Sequence, residues 1–372
     1  VVAYVDDIRL SVLLAAASVD RVVAEPSAHL TWRGLGGNSL FYKGLLDKIG
    51  VKVEFLKHGA YKSAVEPYVA DSMSTEAREN RKELYTDLWQ SVTSMVAVRN
   101  TRQSLGVKRT LDSLASTPVV SASAAVRAGL VDTLLYLDQV PAYALKSFFD
   151  VDAPQARYSD WYPTSHKIFD ETWRQRSRIA LLNIDGTIDA GMEQSVAEAL
   201  RRMPGSAEAL VIRISSPGGS AIASDKIWGA IMELKKRGIP VVASIGDMGA
   251  SGAYYIACAA DAIFAEPYSI VGSIGIYGGK IDASGLMSKV GLKAETVKTH
   301  EHADAETFTR PWTDAEKAAL QQYMDEFYER FVKVVSGATG IARAKVDSSY
   351  GGGRVFIGEK AYKYGLVQGL GG

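Results

Sequence analysis

The chain carries the same ordered set of segments twice, and this repeat limits its fold more than any figure of composition. "VVAYVDDIRLSVLLAAASVDRVVAEP" from Val1 resembles "VVASIGDMGASGAYYIACAADAIFAEP" from Val241, so that Ser11 falls on Ser251. "GLLDKIGVKVEFLK" from Gly44 then matches "GLMSKVGLKAETVK" from Gly285, and "STEARENRKELYTDLW" around Thr75 matches "WTDAEKAALQQYMDEF" around Thr313. Finally "AVRAGLVDTL" around Gly129 matches "AYKYGLVQGL" around Gly365. Matches kept in order over this length imply two copies of one fold. The copies are read as residues 1–144 and 178–372, with residues 145–177 as an aromatic-rich, weakly periodic linker. Before Val241 stand an apolar strand "RIALLNIDGTID", a helical "MEQSVAEALRRM" and a strand "ALVIRISS"; the first copy is expected to lack these leading strands.

Within a copy the pattern runs strand, Gly-rich turn, amphipathic helix, strand: "ALVIRIS", "SPGGS", "SDKIWGAIMELKKRG", "IPVVASIG". Apolar strands alternating with such helices predict an α/β fold with mostly parallel sheets. Lys235, Lys236 and Arg237 before Gly238 mark a helix C-terminus. Thr313 to Val335 is the clearest amphipathic helix, with Leu320, Met324, Phe327 and Phe331 near one face.

Charge and cysteine usage narrow the function. Lys plus Arg and Asp plus Glu both number 42 in 372 residues, and this balance argues against a nucleic-acid partner. The one cysteine, Cys258, can form neither an internal disulfide nor a thiolate cluster. No run of eighteen apolar residues suggests a membrane span, and "VVAYVDD" reads as an abruptly starting strand rather than a secretion signal. His300 and His302 in "THEH" read as solvated, so neither metal nor cofactor is expected. "GSIGIYGG" lacks the spacing of a dinucleotide fingerprint.

Two turns carry the chemistry. Ser251, in "GDMGASGAYYIA", follows a strand and opens a helix, and Gly252 leaves its amide uncovered as an oxyanion donor. "SSPGGS" also ends a strand, and Gly218 and Gly219 can turn an amide toward a carbonyl. In a parallel sheet both turns lie at strand carboxyl ends, where ligands bind. Two packing turns would be the alternative, and a pair argues for chemistry more strongly than one. A Ser-His-Asp arrangement would need one of His29, His58, His166, His300 and His302, none of which lies between Ser251 and His300; a buried, neutral lysine is the other option for the base.

"GDMGASGAYYIA", "SPGGS", "VGSIGI" and "AYKSAVEPY" together resemble the signal peptide peptidase A (protease IV) family over nearly the whole chain. These are Ser/Lys peptidases with a Clp protease/crotonase-like fold, and their long form has two tandem copies. The resemblance implies Ser251 as nucleophile, Lys62 of the first copy as general base, and amides of Gly219 and Gly252 as oxyanion hole. It also implies Ser273 as the hydroxyl that orients the lysine. Taken alone, Lys62 would be a solvated loop lysine. Counting from the shared glycines, Lys62 falls opposite Ala303, where the short form of the family has its lysine. Ser11 is followed by Val12 rather than glycine and reads as a remnant or packing residue. Substrates implied are signal peptide remnants and other hydrophobic peptides. The setting implied is a ring-like homo-oligomer, a tetramer being one option, at the bacterial inner membrane with its catalytic part on the extracytoplasmic side. A crotonase-type acyl-CoA hydratase or isomerase and an inactive scaffold are the competing readings.

Overall fold

The structure, a computed structural model, describes residues 1–6, 8–31, 34–98, 114–115, 120–157, 178–203, 205 and 207–372. Most of the expected linker, residues 158–177, lies outside these. The chain forms two compact units. One contains Val1–Gly37 and Tyr85–Arg174; the other contains Asn38–Leu84 and Gln175–Gly372. No helix among the described residues is long and apolar enough to cross a membrane.

The first unit has a small parallel sheet in the order Val2–Val5, Arg21–Ala24, Thr133–Leu134. Val22, Ala24, Ala125 and Val131 lie in its core. Its Val140–Phe149 helix runs across the expected boundary at residue 144.

The second unit is built on a seven-stranded sheet. Arg178–Asp185, Ala207–Ser216, Val241–Ala250, Ala262–Ala265 and Gly369–Leu370 pair in parallel. Ile270–Gly272 runs parallel to the far half of Val241–Ala250, and Val355–Ile357 closes that edge antiparallel. The α/β architecture with mostly parallel strands is therefore as the alternating pattern requires. Val241–Ala250 is the central strand; Val241, Ala243 and Ile245 on one face are wholly buried and Ser244 on the other is buried too, the mark of a strand covered on both faces. Ser220 caps the Ala221–Lys236 helix by accepting from Ala223 N–H, and Gly238 ends it at φ +82°.

The longest helix among the described residues, Asp314–Thr339, begins at Thr313, where a capping box with Glu316 satisfies two terminal N–H groups. Met324 and Phe331 are buried as the periodicity predicts, while Leu320 and Phe327 line a cavity. Among the described residues Tyr254, Tyr255, Tyr328 and Phe331 are the largest fully buried side chains, and burying each contributes about 2–3 kcal/mol.

Residues 38–84 belong to the first copy in sequence but fold with the second. Their strand Lys52–His58 pairs antiparallel with Ile276–Asp282, ending at the pair His58 and Ile276. The second copy's equivalent stretch, residues 292–298, forms no strand. Beyond it, Arg310 bridges Asp304 and Glu316 at 2.7–3.0 Å, with Lys298 also on Asp304. Ala303 is exposed next to this cluster.

Candidate active site

Ser251 stands where the central strand gives way to the Gly252–Ala257 helix. Its backbone is forced to φ +54°, ψ −125°, a conformation that costs a non-glycine residue about 1–3 kcal/mol. Surrounding bonds hold it: Ser251 N–H donates to Gly272 O at 2.8 Å, and Tyr255 N–H donates to Ser251 O at 3.0 Å. The strained turn lifts the Oγ out of the sheet toward the cavity, as a nucleophile requires. Small neighbours are a steric necessity here. A Cβ on Gly252 would lie 2.2 Å from Ser224 Oγ, and one on Gly249 would strike the Ile245 side chain at 2.8 Å.

The turn Pro217–Gly219 lies against this corner. A Cβ on Gly218 would come within 2.7 Å of Gly252 N and 2.8 Å of the Ser251 Cβ. Gly219 (φ +159°) is held against Ile188, whose carbonyl oxygen a Cβ would meet at 2.0 Å. Its flanking peptides are occupied: Ile188 N–H donates to Gly218 O and Ser220 N–H to Ile188 O. The amides of Gly219 and Gly252 donate to no acceptor among the described residues. They are two unspent donors beside a serine hydroxyl.

Lys62 arrives from the first copy's segment just past the antiparallel ribbon. The residue is 4% exposed, and its Nζ lies 2.9 Å from Ser251 Oγ, 3.0 Å from Ser273 Oγ and 3.0 Å from Ser273 O. The Tyr277 ring lies 6.0 Å from the same nitrogen. Burial disfavours the ammonium, and no carboxylate offsets that among the described residues, so the Lys62 pKa falls to about 7. Ser273 also has a positive φ, +53°, which turns both its hydroxyl and its carbonyl onto the lysine.

The structure thus brings together Ser251, Lys62, Ser273 and the turns of Gly219 and Gly252, all within the second unit. Ser11 lies exposed on the Leu10–Ala16 helix of the first unit, away from any packed position. His302 bonds Glu316 and His300 bonds Thr299, so both serve the loop around the Arg310 cluster. Sequence reasoning passed over Tyr277, Tyr323 and the loop Gly351–Arg354. The three successive glycines were the available signal for that loop.

These groups open onto a cavity of about 920 Å³. Ile222, Ile276, Tyr277, Tyr323, Met324 and Phe327 give it an apolar wall, and no Asp or Glu lines it among the described residues. A second hollow of about 770 Å³ beside Trp228, Arg330 and Lys333 lacks comparable chemistry. Its Cys258 thiol is pushed well up by burial and is not a ready nucleophile.

Chemically, the arrangement offers a hydroxyl, an amine able to be neutral near pH 7, and two free amides. Comparison with known proteins bears on the family of the chain. Residues 1–147 and 233–372 match Peptidase family S49. Protease 4 of Haemophilus influenzae is 31% identical over 387 residues, covering 100% of this chain and 62% of its own. Protease 4 of Salmonella typhi is 31% identical over 370 residues, covering 96% of this chain and 59% of its own. This chain therefore spans about three fifths of the length of either relative. The putative signal peptide peptidase SppA of Enterococcus faecium is 30% identical over 162 residues, 44% of this chain and 47% of its own. The chain belongs to Peptidase family S49.

Proposed function

We propose that this chain is a serine endopeptidase in which neutral Lys62 is the general base for Ser251. The contact of 2.9 Å between the buried Lys62 amine and the Ser251 hydroxyl carries this reading. A neutral amine has two N–H donors and one lone pair. Ser273 supplies two oxygens for the donors, so the lone pair is left for the Ser251 O–H. Ser251 Oγ attacks the scissile carbonyl carbon as its proton passes to Nζ. The oxyanion is held by the amides of Gly219 and Gly252, and the lysine ammonium returns the proton to the leaving amine. Water then attacks the acyl-enzyme by the same proton path.

The substrates proposed are extended hydrophobic peptides. The apolar wall of Tyr277, Tyr323, Met324 and Phe327 favours such chains, and the name of the Enterococcus relative points to signal peptides. A ring-like homo-oligomer at the outer face of the bacterial inner membrane is the setting we infer from the family resemblance. The hydratase reading is disfavoured, because the cavity wall offers no carboxylate for its acid–base steps.

The test is hydrolysis of a hydrophobic peptide ester by the wild type, Ser251→Ala and Lys62→Ala. Both variants should lose activity by at least ~1,000-fold with unchanged circular dichroism. Full activity of Ser251→Ala would remove the nucleophile assignment.

A further inference from the structure

We propose that the loop Gly351–Arg354 is the positioning element of this site, holding the lysine segment in register with the Ser273 segment, and that Gly353 is the residue on which this register depends. The inference rests on the Ser251–Lys62 reading above. Lys62 and Ser251 are 189 residues apart in the chain, so their contact needs an explicit brace. The antiparallel ribbon supplies one only as far as His58 and Ile276. Past that pair, the chain toward Lys62 turns on Lys62 N–H to Gly59 O at 3.2 Å and Ser63 N–H to Tyr61 O at 2.8 Å. Those local bonds shape the turn without tying it to Ser273.

The loop makes the tie. On the lysine side, Tyr61 N–H donates to Gly352 O at 2.8 Å. On the Ser273 side, Gly353 N–H donates to Ile274 O at 2.8 Å and Ser273 N–H donates to Arg354 O at 2.6 Å. Consecutive peptide groups therefore grip opposite segments. Steric contact is equally close. A Cβ on Gly353 (φ +90°) would lie 2.6 Å from Lys62 N, 2.8 Å from its Cα and 2.9 Å from its Cβ. A Cβ on Gly59 would lie 2.5 Å from the Gly352 carbonyl. All of these but the Lys62 Cβ are backbone atoms, and the Cβ is fixed to them, so none can swing aside.

The loop is itself anchored from behind. Gly352 N–H donates to the Tyr328 hydroxyl at 3.0 Å, and that hydroxyl donates to Asp347 at 2.6 Å. The Tyr328 ring stacks on His58 at 3.9 Å, and His58 pairs with Asp325 at 2.7 Å. The Arg354 guanidinium lies 3.9 Å over the Tyr61 ring and bonds its hydroxyl, gripping the residue next to Lys62. The titratable or charged groups packed around this seat are Tyr61 with Glu79 on its hydroxyl, Tyr277, Arg354 and Arg81 of the cavity wall, and behind the loop His58, Asp325, Tyr328 and Asp347.

The experiment compares Gly353→Ala and Tyr328→Phe with Gly340→Ala. Gly340 has φ +74° and no atom within 4 Å of its added Cβ, so it reproduces the backbone strain without the contact. Displacing a catalytic group by about 1 Å costs ~100-fold. Gly353→Ala should therefore lose ~100-fold in kcat and Tyr328→Phe ~10-fold, with KM for the ester within about twofold. In Gly353→Ala the acid limb of the kcat–pH profile should move to higher pH, since a displaced Lys62 gains solvent. Gly340→Ala should match the wild type. Wild-type kcat and acid limb in both test variants would overturn the proposal, as would equal losses in Gly353→Ala and Gly340→Ala. If Gly353→Ala does not fold, an unchanged Tyr328→Phe overturns it. Full activity of Lys62→Ala would instead overturn the base assignment and this inference with it.

Discussion

Burying an unpaired lysine should make the protein less stable near neutral pH than it would be with a methylene-rich substitute. Lys62→Met tests this. The Lys62 pKa is lowered to about 7 in the folded chain from an ordinary value of 10.5. At 1.36 kcal/mol per pH unit, this difference is worth about 5 kcal/mol. The sign follows from proton binding: between pH 7 and 10.5 the unfolded chain holds the lysine proton and the folded chain does not. Stability of the wild type therefore rises with pH across that window. The methionine variant lacks this term, and its thioether chain fills a similar volume. Lys62→Met should exceed the wild type by about 5 kcal/mol at pH 6 and by about 2 kcal/mol at pH 9. Urea unfolding followed by circular dichroism and fluorescence at the two pH values measures both numbers. A stability difference that stays constant between pH 6 and pH 9 would refute the argument, because it would mean that Lys62 titrates alike in both states.

Three other outcomes follow from the same geometry. Ser273→Ala keeps the backbone carbonyl on Lys62 but removes one oxygen at 3.0 Å, and ester hydrolysis should fall ~10-fold at pH 7.5. Gly252→Ala would drive a methyl into Ser224 Oγ and shift an oxyanion donor, so kcat should drop ~100- to 1,000-fold in the same assay. Arg310→Met leaves Asp304 and Glu316 without their shared cation. Arg310 holds both carboxyls below the usual range, so their contribution to stability is present above about pH 4 and lost as pH falls. Removing the arginine should move the acid-unfolding midpoint to higher pH, as read by circular dichroism.

How much of this was legible before folding depends on where each residue's environment originates. Ser251 and the two glycine turns could be read locally, because a small-residue corner at a strand end is written in neighbouring letters. The parallel α/β architecture followed from alternating strands and helices, and the long helix from its capping residues and period. Lys62 could not be read in that way. Its desolvation comes from packing against residues more than 180 positions later, so only the repeat and the family resemblance pointed to it. The exchange of residues 38–84 into the second unit was likewise hidden, since a ladder between Lys52–His58 and Ile276–Asp282 leaves no local signal. Ser11 shows the converse: it aligns with Ser251, yet Val12 in place of a glycine already separated the two. Gly353 stayed silent because its importance lies in a close approach between chain segments distant in sequence.

The central claim is that the Lys62 amine takes the Ser251 proton, and the pH dependence of Ser251 acylation addresses it most directly. Stopped-flow reaction with a fluorophosphonate, read between pH 5 and 10, gives the acylation rate as a function of pH. The account predicts a rate that rises through an apparent pKa of about 7 in the wild type. In Lys62→Ala the rate should be low, with that limb gone. Acylation of Lys62→Ala at the wild-type rate, with the same limb, would contradict it.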